Sequence, residues 1–357
     1  MIKIIAEAGV NHNGNKDIAL KLIDAAADAG ADVVKFQTFK AKNIVTEAAR
    51  QADYQTKNTG KAESQLAMLE RLELPYEVHL KLINKCVERN IEFLSTAFDN
   101  ESLAFLVDDL KLKTLKIPSG ELTNAPFVLK HAQTGCDLIV STGMATLAEI
   151  EQALSVIAFG LLNDVSTLPS VKAFQEAYYS EKGQKLLKEK VMLLHCTTEY
   201  PAPFDEINLC AMDTLHQAFK LKVGYSDHSE GITIPIAATA RGAVLIEKHF
   251  TLDKSMEGPD HQASLEPSEL RAMVQAVRNT EIALGSGLKG PQPSEIKNKD
   301  IARKSLVAAR DILQGEIINP KDIDIKRPGN GMSPYDFWSL CGKPSSQNYK
   351  KGMLFNE

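Results

Sequence analysis

Eight short apolar runs, each followed by a segment of helical periodicity, constrain this chain more than any other feature. They are KIIAEAGV at 3–10, DVVKFQT at 32–38, EFLSTAF at 92–98, TLKIPSG at 114–120, DLIVSTG at 137–143, VMLLHCT at 191–197, LKVGYSDH at 221–228 and VLIEKHFT at 244–251. Segments such as IALKLIDAAADAG, HLKLINKCVERN, LAEIEQALSVIA and LRAMVQAVRNTEIAL lie between or after them, with apolar residues at helical spacing. Eight strand-then-helix units predict an α/β fold of the (β/α)8 TIM-barrel type rather than an open sheet.

Nearly every run ends in polar chemistry at its C-terminal end, the end where barrel enzymes assemble their sites. Glu7, Lys35 and Gln37, Ser95 and Thr96, Lys116 with Ser119 and Glu121, Ser141 and Thr142, His195, Ser226 to His228, and Glu247 with His249 fall there. The densest stretch is Gly224 to Ser264, which holds GYSDHSEG, IEKHFTLD and EGPDHQAS. His228 and His249 each follow an apolar run and are separated by the length of one helix with its loops, so neighbouring strands can bring both to one point. Strand alternation sets Ser226 with His228, and Glu247 with His249, on one side; Lys248 then faces the helix layer.

At 357 residues the chain exceeds a barrel of roughly 250 residues, so something is appended. A polar insertion at 44–66 is positioned to fold over the barrel mouth, and a charged insertion at 163–190 reads as a helical, solvated excursion. The expected division is a barrel over 1–287, a Gly/Pro/Lys-rich linker over 288–298 and a small, turn-rich domain over 299–357. A net charge of −5 argues against nucleic acid or an anionic membrane as the main partner. The N-terminus lacks a signal-peptide pattern, no apolar run spans a bilayer, and the five scattered cysteines fit reduced thiols, so a cytoplasmic location is expected.

AEAGVNHNG, VKFQTFKA, KIPSGE, STGM, LHCTTEYPAPF, GYSDHS, IEKHFTLDKSMEGPDHQAS and KRPGNG, in that order, closely resemble the bacterial sialic acid synthase family. The resemblance covers essentially the whole chain and implies a barrel followed by an antifreeze-like (SAF) domain. It implies condensation of phosphoenolpyruvate with N-acetylmannosamine to give N-acetylneuraminate and phosphate. AEAGVNHNG, LHCTTEYPAPF and GYSDH also resemble the legionaminic acid synthases, which use a 2,4-diacetamido-6-deoxy sugar.

The residues suit that chemistry. Phosphoenolpyruvate is a trianion at most, and Lys35 and Lys116 with Ser95, Thr96, Ser119, Ser141, Thr142 and Ser226 supply cations and donors at strand ends. A divalent metal on His228 and His249, Mn²⁺ first with Mg²⁺ or Co²⁺ as alternatives, would supply Lewis acidity to the aldehyde, with Asp227 and Glu247 orienting the imidazoles. Glu7 is the first choice for proton management, and Glu121 for sugar hydroxyls. The resemblance adds Thr198 to the phosphoenolpyruvate site and Tyr200 and Asp260 to the sugar site. It also adds Arg327, reaching from a partner subunit in a domain-swapped homodimer. Gln37 is a second-rank member, and Asn11 and His12 line the mouth or shape the first loop. Two other classes remain: a Schiff-base pyruvate aldolase using Lys116, and a non-catalytic sugar-binding protein.

Overall fold

A computed structural model describes residues 1–52, 55–56, 63–164 and 166–356. It divides into two compact units, Met1–Gly285 and Ser286–Glu357.

The first unit is the expected barrel. Its strands are β1 (Lys3–Gly9), β2 (Val33–Thr38), β3 (Glu92–Ala97), β4 (Thr114–Ile117), β5 (Asp137–Ser141), β6 (Val191–His195), β7 (Lys222–Asp227) and β8 (Leu245–His249). They pair in parallel in the order β3-β2-β1-β8-β7-β6-β5-β4, so the first and last strands, β1 and β8, are hydrogen-bonded and the two end strands, β3 and β4, lie side by side. Parallel strands buried on both faces need near-continuous apolar sequence, which is why each run read so clearly.

Capping chemistry delimits the surrounding helices. Asn15 accepts from the backbone N–H groups of Asp17 and Ile18 to start the helix Lys16–Ala29, and Gly30, at φ 85°, ends it in the left-handed conformation. Thr146 and Glu149 form a reciprocal capping box at the start of Leu147–Leu162. Buried faces such as Ala19, Leu22, Ile23 and Ala26 pack onto the outside of the barrel in one continuous core. The charged excursion forms two helices, Val171–Tyr179 and Glu181–Lys190. They bury Ala173, Ala177 and Leu187 and pack against Leu147–Leu162, so the segment is more than a solvated decoration.

Part of the 44–66 insertion, residues 53–54 and 57–62, lies outside the described residues. Beside it, the short helix Ala41–Ile44 and the helix Gln65–Leu72 flank the β2 end of the barrel. Met68 and Leu72 join Val10 and Phe39 in a separate small apolar cluster.

In the second unit, β9 (Ser305–Ala308) pairs antiparallel with β10 (Ile323–Lys326) over a core of Leu306, Ile312, Ile318, Tyr349 and Phe355. Buried Asp322 accepts from Arg310 Nε at 2.7 Å, and Arg310 also meets Glu316. The segment expected as a linker over 288–298 is not wholly irregular. Pro293–Ala302 is a helix, opened by Pro293 and a Gln292–Glu295 capping box, and it buries none of its residues.

One glycine fixes the barrel interior. A Cβ at Gly224 would lie 2.6 Å from the Leu245 carbonyl oxygen and 2.7 Å from a Leu194 methyl, inside the lumen. Gly224→Ala is expected to destabilise the barrel by about 1–3 kcal/mol through overpacking. Denaturant unfolding that places the variant level with the parent would contradict this packing.

Candidate active site

Period-two alternation along the strands builds the barrel lumen from the bottom upward. At the base, Ile5, Val33, Leu94, Ile139, Leu194 and Leu245 form an apolar plug. Two residues further along the strands come Glu7, Lys35, Thr96, Ser141, Cys196 and Glu247, joined by Lys116 from β4 and Ser226 from β7. A further step of two brings Gln37, Phe98, Pro118, Thr198, His228 and His249. Both upper sets line one cavity of about 320 Å³.

The middle set is a buried ion cluster. Lys35 Nζ lies 2.6 Å from Glu7 Oε2, 3.5 Å from Glu247 Oε2 and 3.1 Å from Thr96 Oγ1. Lys116 donates to Glu247 Oε1, and Ser226 donates to the same oxygen at 2.8 Å. The two carboxylates diverge. Burial pushes Glu7 up to about 7, with Lys35 opposing and Glu247 reinforcing the rise. Glu247 also feels burial, but Lys116 and Lys35 outweigh it and hold the carboxyl well below the usual range. For Lys116, burial opposes the charge, and Glu247 and Glu7 overcome that to raise its pKa.

Above the cluster, the imidazoles of His228 and His249 lie edge to face, inclined at 63°, with ring centroids 5.7 Å apart. Burial keeps both neutral, pulling His228 down to about 4 and His249 well below its ordinary value. His228 Nδ1 bonds the Thr197 carbonyl at 2.5 Å, and its Nε2 lies 3.1 Å from the Tyr200 hydroxyl. His249 Nδ1 is buried without a hydrogen-bond partner. Two neutral, converging imidazoles fit a first-row divalent ion. No group of three or more His, Cys, Asp or Glu side chains suited to a metal occurs among the described residues.

Hydroxyls and a thiol flank the lysines. Ser119 Oγ accepts from Gly143 N at 3.0 Å and lies 3.2 Å from Cys196 Sγ. Ser141 Oγ and Thr198 Oγ1 are buried without partners. A Cβ at Gly143 would sit 2.4 Å from Thr198 Oγ1 and 2.8 Å from Ser119 Oγ, so only glycine lets these groups converge. On the rim, Glu121 accepts from Asn124, and burial pushes the Asp260 carboxyl up to about 6.

The Asp260 loop is held by the first loop of the barrel. Asn11 Nδ2 donates to Phe250 O at 2.8 Å and to Ser264 Oγ at 2.9 Å, and Ser264 Oγ donates to Asp260 O at 2.6 Å. Asn13 Nδ2 donates to Glu257 O at 2.8 Å. The two asparagines of VNHNG thus act as cross-ties. His12, buried and pulled down to about 3 by burial, receives the Gly14 N–H.

The cavity therefore brings together Glu7, Lys35, Gln37, Thr96, Lys116, Ser119, Glu121, Ser141, Thr198, Tyr200, Ser226, His228, Glu247, His249 and Asp260. Other expectations are corrected by strand parity. Asp227 does not orient the histidines; it points outward, pairs with fully buried Lys248 at 2.6 Å and accepts from Ser229. Glu247 is the counter-ion of both lysines rather than a brace for His249. Ser95 bonds Thr38 on the outer face, Thr142 bonds the Leu194 carbonyl, and His195 bonds the Ile207 carbonyl. Arg327 lies in the second unit, as expected, with its Nε donating to Ala302 O at 3.0 Å. Cys196 was overlooked as a site residue, although its inward parity with Leu194 and Thr198 marks it.

An eight-stranded parallel barrel with a charged lumen beneath paired imidazoles is the architecture of a (β/α)8 enzyme. The NeuB family model matches residues 22–289, and the SAF domain model matches residues 303–353. The chain is 50% identical over 354 residues to the N,N'-diacetyllegionaminic acid synthase of Campylobacter jejuni, covering 99% of this chain and 98% of that one. It is 42% identical to the enzyme of the same name from Legionella pneumophila, covering 98% and 92%. Among solved structures, it resembles an N-acetylneuraminic acid (sialic acid) synthetase from Leptospira borgpetersenii in complex with citrate. That match has TM-score 0.66 and 32% identity, covering 83% of this chain and 90% of that one. The chain belongs to the NeuB family and is a synthase with a C-terminal SAF domain.

Removing the shared counter-ion leaves two buried lysines facing one carboxyl. Glu247→Gln is expected to cost about 3–5 kcal/mol of stability, as uncompensated buried charge does. An unfolding free energy within about 1 kcal/mol of the parent, below the usual cost of a lost charged hydrogen bond, would show that the cluster does not need Glu247.

Proposed function

We propose that this synthase condenses phosphoenolpyruvate with 2,4-diacetamido-2,4,6-trideoxymannose, giving N,N'-diacetyllegionaminate and inorganic phosphate. The observation that carries the phosphoenolpyruvate half is the pair of buried lysines beside the unpartnered hydroxyls of Ser141 and Thr198, a receptor for a small multivalent anion. The choice of sugar is supported by 50% identity over nearly the full length of both chains. N-acetylmannosamine, the acceptor first expected, is the second reading, favoured by the 32% identical sialic acid synthetase structure.

In this reading, Lys35, Lys116, Thr96, Ser119, Ser141, Thr198 and Ser226 hold the phosphate and carboxylate. Glu121, Tyr200 and Asp260 address the sugar. Carbon 3 of the enol attacks the aldehyde carbon, and the aldehyde oxygen takes a proton. The cationic carbon 2 is captured by water, which gives up one proton; the hydroxyl so formed gives up its second proton as the carbon–oxygen bond to phosphate breaks, leaving the ketone and hydrogen phosphate. Glu7, with a carboxyl near 7 beside Lys35, is poised to give and take protons at neutral pH. His228 and His249 would hold a divalent ion, Mn²⁺ first, whose Lewis acidity polarises an aldehyde oxygen when it is bound.

The Schiff-base alternative is disfavoured by Lys116 itself. A nucleophilic amine needs a lowered pKa, and the carboxylates raise this one. We further propose a cytoplasmic homodimer in which Arg327 of one copy serves the barrel of the other. No helix of the described residues is long and apolar enough to cross a membrane.

The test is phosphate release by chelator-stripped protein given phosphoenolpyruvate and either sugar, with and without Mn²⁺. Release only with metal and sugar is expected, faster with the diacetamido sugar. Glu7→Gln should depress turnover by about a hundredfold or more with little change in KM, and Arg327→Ala should raise the sugar KM. No release with either sugar would sink the assignment, parental turnover would remove Glu7 from the mechanism, and an unchanged sugar KM would remove Arg327 from the site.

A further inference from the structure

The cavity has a mixed lining. Besides the lysines, hydroxyls, Glu121 and Asp260 it has an apolar wall in which partly exposed Ile44, Leu69 and Phe98 pack with buried Val10, Phe39 and Met68. Phe98 meets Phe39 edge-on at 6.3 Å, and Met68 is only 1% exposed, so the wall has a packed backing.

Its supports are specific. Ser64 caps the helix Gln65–Leu72 by accepting from Ala67 N at 3.2 Å. Glu73, just beyond that helix, accepts from Ala41 N at 3.1 Å and from Lys40 Nζ at 2.9 Å, tying it to the short helix Ala41–Ile44. Gln55 and Gln65 are the polar lining residues contributed by the same segment.

An acceptor sugar bound in this cavity beside the cations and carboxylates shares it with this wall. A hydroxyl packed against Ile44, Leu69 and Phe98 gives up water and gains no partner from those three side chains, which costs about 1–3 kcal/mol. A methyl placed there loses nothing and gains by burial.

We infer that the wall of Ile44, Leu69 and Phe98 is the surface that selects the acceptor, accommodating a methyl where a hydroxymethyl would be unsatisfied. This inference rests on the acceptor reading above and gives it a physical cause: the wall suits the methyl of a 6-deoxy sugar and the methyl of an additional acetamido group. Ile44 comes from the start of the polar insertion, Leu69 from the helix Gln65–Leu72 that follows it, and Phe98 from just past the end of β3.

The experiment compares kcat/KM for the diacetamido-deoxy sugar and for N-acetylmannosamine in the parent, Leu69→Gln, Ile44→Thr and Leu69→Met, with the KM for phosphoenolpyruvate measured alongside. The deoxy-to-hydroxy preference should fall about tenfold or more in Leu69→Gln and Ile44→Thr. Leu69→Met should retain it, and the phosphoenolpyruvate KM should stay at the parental value in all three. A parent that uses neither sugar would sink the acceptor reading itself. A parent that uses both, with a ratio that neither polar variant moves, would leave the reaction standing and overturn the role of the wall. A parental preference for N-acetylmannosamine would overturn it as well.

Discussion

Two lysines and two carboxylates buried at the centre of the lumen set the terms for the rest of the barrel. Charges can be held out of water only when each is paired and hydrogen-bonded. Lys35 spans Glu7 and Glu247, Lys116 takes the other oxygen of Glu247, and Ser226 completes that carboxylate. The apolar plug below keeps solvent from the base of the cluster, and the cations beneath the histidines add to the burial that keeps those imidazoles uncharged. Burial, against the opposing charge of Lys35 and with Glu247 reinforcing, leaves Glu7 with a carboxyl near 7, while Lys116 and Lys35 hold Glu247 low. One arrangement thus yields an anion receptor, a proton carrier and a neutral donor pair.

Much of this was legible in the sequence because parallel strands leave an unusually clean signal. All eight strands lie within the predicted runs, since a strand buried on both faces must be apolar along its length, and lumen chemistry interrupts it at alternate positions. Lys248 is the clearest case: parity alone places it outside the lumen, and the structure buries it there against Asp227.

What was missed had physical reasons. Proximity in sequence suggested Asp227 as a partner for His228, yet adjacent strand residues point to opposite faces, and the same rule removes Ser95 and Thr142 from the cavity. Glu247 was assigned to the wrong partner because its true partners, Lys35 and Lys116, come from strands far away in sequence. Cys196 carried no motif. The wall over the cavity was hidden because Ile44, Met68, Leu69 and Leu72 are set among charged and amide residues. Only the fold brings them against Val10, Phe39 and Phe98.

The central claim is that the paired lysines form the receptor for phosphoenolpyruvate, and calorimetric titration of that ligand onto metal-free parent, Lys35→Met and Lys116→Met proteins tests it most directly. Loss of a charge-assisted contact is worth about 1.5–3 kcal/mol, so each variant should bind roughly ten- to a hundredfold more weakly than the parent while remaining folded by circular dichroism. Parental affinity in a folded Lys116→Met protein would contradict the account.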